Sequence, residues 1–482
     1  MSNRPIATDH PSHGAIGFPA ALATAVGLIM ASPVILTVMS GFGLGGKAFA
    51  IAVTIAFIVM QAQAMSFAEA SAILPTTGSV YDYISCGLGR FCAITGTISA
   101  YVLVHVFAGT AETVLSGIIA LVNFPALNSR LESGGASWMV GVGMVLLFAV
   151  TNALGIKVYG RIEVILTIGM WTTLMVFGMA GLMHPAAVPI EGWFGGSSIG
   201  TGVPAVLSLI GTAMFMFVGF EFVTPLAAEM DHPERHIPRA MRLGLMGVAV
   251  CMFLFGAAIR HQVPNIAVNA AGTIHLLDTP AAIPAFAERV MGPFGRIWLG
   301  IGLLFAGAAT INTLMAGLPR ILYGMALDGA LPRCFAYLHP RLKTPLVGIA
   351  VAAAIPCLHA WYIHGDVDKL GNLVLAAVCA WGVAYILVTL SVIFLRLRRP
   401  DLPRPYRSPW FPLPQIISIA GIVIALAWIA PIGTDSSAVY MPFGIMLGCA
   451  ALYALIWTRF VQRTPLFKPV AVEVILAEES GK

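Results

Sequence analysis

Carboxylates and imidazoles are scarce in this chain, and those that interrupt its apolar runs are where its chemistry must lie. Only 10% of the 482 residues are charged. Glu221 sits midway through the stretch Leu207–Met241, directly after Phe217-Val218-Gly219-Phe220. The stretch starts as an apolar helix and leaves through Glu229-Met230-Asp231-His232-Pro233-Glu234-Arg235. A charge at the centre of a bilayer costs at least roughly 2.5 kcal/mol, so such a residue is tied to function or to a specific buried partner. A second polar set is Tyr101, His105 and Glu112. Helical spacing of four and then seven puts the three near one face. Histidine titrates near neutral pH, so a relay from His105 to Glu112 or Glu221 fits this set, and so does a plain interhelical hydrogen bond. Glu69 reads as a cytoplasmic anchor, and Asn312 and Thr313 either approach the first span or pack against neighbours. The seven cysteines form no C-x-x-C pair and read as small core residues, so no metal site is expected. No H-E-x-x-H, G-x-S-x-G or phosphate-loop pattern is present, so no enzyme is expected either.

The elements that position these groups follow from composition. A soluble chain of this length could not hide 59% hydrophobic residues. Many runs reach the roughly 20 residues that a helix needs to cross hydrocarbon, and the alternation of a membrane β-barrel is absent. The chain therefore reads as an all-α polytopic membrane protein with twelve spans, near 15–40, 48–74, 91–122, 137–156, 162–183, 203–228, 241–259, 295–322, 345–364, 371–396, 411–431 and 439–459. The first run, Ala15–Met39, is too long for a signal-peptide core and reads as a span. One set of alternate loops and tails, from Arg4 to Lys482, holds 20 of the 26 Lys and Arg residues. The other set holds Lys47, Arg130, Arg260, Arg289, Arg296 and Lys369. That bias predicts a multi-pass protein of the cell's inner or plasma membrane with both termini cytoplasmic. It also explains the net charge of +5 by contact with anionic membrane lipid, so no nucleic-acid partner is expected. In the longest outer loop, Pro280–Val290 is weakly amphipathic and predicts a short surface helix.

Two spans carry helix-breaking signals near mid-membrane. In the first, Ile29-Met30-Ala31-Ser32-Pro33-Val34 contains a proline, which lacks an N–H and disfavours helical dihedrals at the preceding residue. The sixth contains Gly219 and then Pro225. Paired interruptions five spans apart point to an inverted-repeat transporter with a midplane site. Two ordinary kinks are the plain alternative.

Several stretches resemble the amino acid–polyamine–organocation permeases. They are Phe217–Glu221 with the following Pro233-Glu234-Arg235-His236-Ile237-Pro238-Arg239, and the turn Pro75-Thr76-Thr77-Gly78-Ser79-Val80-Tyr81. Arg320–Pro332 with His339–Pro345, and Arg399–Arg407, add two more. The resemblance covers nearly the whole chain and implies the LeuT-like fold with discontinuous spans one and six. Its parts would be a cytoplasmic tail (1–14), a first inverted repeat of spans one to five (15–200), a second of spans six to ten (201–400), spans eleven and twelve (401–460), and a second cytoplasmic tail (461–482). It also implies alternating access around a substrate held between the two breaks.

A broken helix offers unpaired N–H groups on one half and unpaired C=O groups on the other, which suits a carboxylate and an ammonium group. By resemblance, Ala31, Ser32 and Pro33 lie where the family commonly has Gly-Ser-Gly, and Ser32 would offer its hydroxyl and N–H to the carboxylate. Pro33 departs from that pattern and removes one donor. Either the Val34 N–H or a side chain compensates, or the substrate binds its carboxylate differently, or it lacks an α-carboxylate as an amine does. The carbonyls of Ile29, Phe215 and Val218 would meet the ammonium group beside Gly219, with Phe215 covering the substrate and Tyr101 lining it. Glu221, His105 and Glu112 are the coupling candidates. Some members carry a lysine in span five; the matching position here reads as Thr167. The expected activity is uptake of an amino acid, with a proton or Na+ as the coupling ion and no cofactor. An amino acid or amine exchanger, an amine permease and a non-transporting sensor are the competing readings, and the lack of a large signalling tail argues against the sensor.

Overall fold

The computed structural model describes residues 14–124, 137–186, 194–195, 200, 202–262, 280–364, 366, 369–430 and 435–479. Residues 1–13 with Arg4, and likewise Arg130 and Lys482, lie outside the described residues. Among the described residues every regular element is a helix, apart from a single parallel bridge between Ile16 and Met230. Nine stretches are long and apolar enough to cross a membrane, and Phe18–Gly27, Ser137–Ala153 and Leu413–Ala427 are shorter apolar helices. Together they make the twelve spans. Phe18–Gly27 is the first half of span one, called inner after the expected topology, and Ser32–Ile73 contains its second, outer half and span two, divided where the chain turns at Gly46. Span eight lies in Ala282–Leu327 and is preceded by a short helix that ends at a kink at Met291 and Gly292. That helix starts within the segment whose amphipathicity predicts it.

Span one breaks slightly earlier than the proline suggests. Leu28–Met30 form a turn, Ala31 is extended with ψ 155°, and Ser32 opens the outer half. Pro33 therefore sits in the first turn of a helix, where its missing N–H has no intrahelical role. It starts the outer half and does not kink it. Span six runs as an α-helix from Val203 to Phe215, breaks over Met216–Gly219 and resumes as a 3₁₀ segment, Phe220–Glu229. Gly219 has φ 101°, a left-handed conformation open to glycine at little cost. A side chain there would also start 2.9 Å from Leu28, so the two breaks touch.

The helix ends on the side where span one begins are fastened by polar contacts. Asp231 donates its N–H to Ile16, while Ala15 and Ile16 donate theirs to the Glu229 carbonyl, tying the start of span one to the end of span six. Glu69 accepts Arg396, Arg404 at 3.2 Å and the Ser408 N–H at 2.9 Å, the anchor expected of it. The helix Val472–Glu479 docks on this face through Arg399 to Glu473 (2.6 Å) and Thr77 to Glu479 (2.8 Å). Hydrogen bonds from Arg399 hold the Asp401 and Glu473 carboxyls below the ordinary carboxylate range. Tyr81 donates to Asp328, and burial, reinforced by that carboxylate, pushes its hydroxyl well above the usual value.

Candidate functional site

The site is built where the breaks of spans one and six meet and spans three, eight and ten pack against them. Ile29, Ala31, Ser32, Val34, Phe215, Val218 and Glu221 are all buried here. From the span six side, Glu221 accepts a hydrogen bond from Trp381 Nε1 at 2.7 Å and another from the Tyr385 hydroxyl at 2.5 Å. The same hydroxyl accepts the Gly219 N–H at 3.0 Å. Span ten thus pins the end of the unwound turn, at Gly219, and the first residues of the 3₁₀ segment that follows. Trp381 and Tyr385 lie four apart in an apolar helix, a spacing that shows a shared face but not what that face meets.

From the span one side, the Ser32 N–H donates to Glu112 Oε2 at 2.9 Å, and Ser116 donates to the other carboxylate oxygen at 2.8 Å. Glu112 belongs to span three and lies against Gly307 of span eight, where any β-carbon would sit 2.8 Å from Oε1. The Val34 N–H, the expected substitute for the donor that Pro33 lacks, is turned back to the Ala31 carbonyl at 3.0 Å. The cause is the tight first turn of the outer half, which Ala31 also closes by accepting the Ile35 N–H.

Tyr101 and His105 lie in two π-helical segments, Ile98–Leu103 and His105–Gly109. The wider winding shifts the face that a 3.6-residue period predicts. The Tyr101 ring packs at a tilt of 39° against Phe222 of span six, with centroids 4.5 Å apart. His105 Nδ1 lies 3.0 Å from the Tyr101 carbonyl, and neither Glu112 nor Glu221 bonds to it. Tyr101 thus meets the break of span six and Glu112 that of span one, while His105 bonds within its own helix; no side-chain hydrogen bond joins the three. Among the described residues, the Tyr101 hydroxyl and His105 Nε2 are buried without a hydrogen-bond partner.

One buried carboxylate is new to the site. Glu163 of span five accepts Asn312 at 2.7 Å and Thr313 at 3.0 Å, both from span eight. It presses on the end of the inner half of span one: a β-carbon on Gly27 would lie 2.1 Å from its Oε1. Asn312 and Thr313 thus reach span one through Glu163. Thr310 does so directly, donating to the Gly27 carbonyl at 3.1 Å, and Thr167 bonds the Ala23 carbonyl at 3.3 Å. On the side where span one begins the site is closed by a buried ion pair, Arg320 to Glu229 at 2.5 and 3.2 Å. The crevice beside it, lined by Thr77, Ala228 and Tyr323 among others, has about 10 Å³ of free space, room for roughly one water.

Two interrupted helices crossing mid-membrane, each with its exposed backbone ends held by polar side chains, define a helical membrane transporter. The chain belongs to the amino acid permease family, whose pattern it matches over residues 16–452. Among its relatives is the serine/threonine exchanger SteT of Bacillus subtilis (strain 168), 25% identical over 405 residues, which span 82% of this chain and 85% of that one. The branched-chain amino acid permease BcaP of the same organism is 25% identical, spanning 84% of this chain and 86% of the other. The methylthioribose transporter of that organism is 22% identical, spanning 86% of each. In fold, the chain is similar to Mhp1, a nucleobase-cation-symport-1 family transporter solved closed around bromovinylhydantoin. The TM-score is 0.57 at 16% identity, covering 98% of this chain and 99% of that one.

Proposed function

We propose that this protein is a secondary active transporter that takes an amino acid into the cell across the plasma membrane by alternating access, together with a proton. Both termini face the cytoplasm in this reading, as the excess of Lys and Arg on that side requires. Family membership supports the amino acid. The observation that carries the proton is the set of buried carboxylates at the breaks. Glu112, Glu163 and Glu221 are fully buried, and each is held by hydroxyl, amide, indole or backbone donors and by no cation. Intramembrane carboxylates of this kind belong to proton relays and ion pathways. The Tyr101 hydroxyl, on a ring packed against Phe222, adds a polar contact for a substrate between spans three and six. Exchange is the second reading, favoured by the resemblance to a serine/threonine exchanger.

The test is uptake by proteoliposomes of radiolabelled amino acids and amines under pH and sodium gradients imposed separately. Accumulation under an acid-outside gradient is the expected result. Accumulation driven only by sodium, or only by internal substrate, would replace the proton by sodium symport or by exchange.

A further inference from the structure

The donor that a broken span one would present to a substrate carboxylate is already occupied. The first turn of the outer half has three backbone positions. Pro33 has no N–H, the Val34 N–H is bonded to the Ala31 carbonyl at 3.0 Å, and the Ser32 N–H is bonded to Glu112 at 2.9 Å. The Ser32 hydroxyl is turned away as well, toward the Leu303 carbonyl at 3.4 Å. The chain has therefore placed a carboxylate of its own at the positive end of this helix, where an incoming carboxylate is best stabilised. The placement is built, since Ser116 holds the second oxygen and the absence of a side chain at Gly307 leaves the room.

We infer that Glu112 is the competitor of the substrate's carboxylate, so that loading an amino acid and protonating Glu112 are one event. The inference rests on the proposed amino acid uptake and assigns its coupling group. Two carboxylates sharing one site cannot both be ionised without an opposing charge. The titratable groups on the packed elements supply none. On span three itself, His105 has its Nδ1 on the Tyr101 carbonyl. From span nine, His359 has its Nδ1 on the Val106 carbonyl and near Thr110. Span eight offers Arg320, which is spent on Glu229, and Arg296, which bonds Glu288 and the Val122 and Asn123 carbonyls ten and eleven residues along span three from Glu112; span five offers Glu163 and Tyr159, held by Asn312 and Thr313 and by Thr24. Tyr385 of span ten is bonded to Glu221. No titratable side chain lies in the outer half of span one before Lys47, nor in span four over Ser137–Ala153.

The exchange balances simply. A proton from the outer solution converts Glu112 to the neutral acid, the Ser32 N–H is released, and the substrate's carboxylate takes it. When the substrate leaves to the cytoplasm, Glu112 gives up its proton and returns to Ser32. One proton moves with each amino acid. A substrate that lacks the carboxylate gains nothing from this proton.

The test measures binding to the full-length protein in detergent from pH 5 to 8. The probes are L-serine, L-threonine, L-valine and L-leucine, with ethanolamine and isobutylamine as decarboxylated partners. For a bound amino acid, affinity should tighten up to tenfold for each unit of falling pH, the slope for one proton taken up. The Glu112→Gln protein should bind with a flat profile and lose accumulation driven by a pH gradient. Ser116→Ala keeps the carboxylate but removes the hydroxyl that favours its ionised form, so its tightening should begin at higher pH. This variant decides the matter if Glu112→Gln does not fold. An unchanged pH profile in Glu112→Gln, or in Ser116→Ala where only that variant folds, would overturn the role of Glu112 and leave the transport reading standing. Failure of every amino acid to bind at any pH would overturn the transport reading, and this inference with it.

Discussion

In the proposed topology, neutralising Arg320 should open the cytoplasmic side, and neutralising Glu229 in the same chain should close it again. The pair is buried, with Arg320 4% and Glu229 5% exposed. The guanidinium makes two hydrogen bonds to the carboxylate, at 2.5 and 3.2 Å, and a third to the Ala316 carbonyl at 2.8 Å. Two charge-assisted bonds at about 1.5–3 kcal/mol each agree with the roughly 3–5 kcal/mol lost when one partner of a buried ion pair is removed. The loss falls on the closed state, because Glu229 ends span six, Arg320 belongs to span eight, and opening separates these ends and wets both groups. At about 1.4 kcal/mol per decade, the open population in Arg320→Gln should rise by up to roughly 10²–10³-fold. Replacing a buried pair by neutral groups is close to neutral, so Glu229→Gln/Arg320→Gln should return most of the way. The assay is maleimide labelling of Ala228→Cys, a position lining the crevice beside the pair, in inside-out vesicles with the seven native cysteines replaced by serine. A labelling rate unmoved by Arg320→Gln would refute the gate. A double variant labelled as fast as Arg320→Gln alone would refute the charge argument, because lost packing would then be the cause.

Two further substitutions test the supports of the breaks. Gly27→Ala places a β-carbon 2.1 Å from Glu163 Oε1 and 3.3 Å from Ala309, so it should destabilise the protein by about 1–3 kcal/mol in thermal unfolding, and adding Glu163→Ala should recover part of the loss. Tyr385→Phe removes the acceptor of the Gly219 N–H and a donor to Glu221, each worth about 1–3 kcal/mol when left unsatisfied. It should weaken substrate binding by about ten- to a hundredfold, read by equilibrium binding of the transported amino acid.

The fold was legible because its signals are local. Apolar length marks the spans, and Pro33 and Gly219 mark breaks that the structure places within a few residues of them. The partners were not legible, because they come from distant segments. Glu163 falls at the second residue of the span expected over 162–183, within two turns of Lys157 and Arg161, and nothing local sets it apart from them; its own face points inward to Gly27 while theirs are exposed. His105 and Glu112 were placed on one face by a regular helical period, which the π-helical turns at 98–109 do not keep. The offer of the Val34 N–H to a substrate failed for a geometric reason: an extended Ala31 leaves its carbonyl within reach of both Val34 and Ile35.

An unwound helix in hydrocarbon exposes donors that cost several kcal/mol each if left bare. This protein answers with acceptors of its own: Glu112 covers Ser32, and the Tyr385 hydroxyl covers Gly219. The closed state is thereby kept folded without relying on substrate. A substrate then gains only the difference between its own hydrogen bonds and those it displaces, which limits affinity and lets it leave on the other side. At span one the displaced acceptor is a carboxylate, so that difference depends on a proton; at span six the Tyr385 hydroxyl stays on Gly219 and holds the break in shape. The two breaks would therefore do different work, with span one setting the coupling to pH and span six setting the geometry in which the amino group is received.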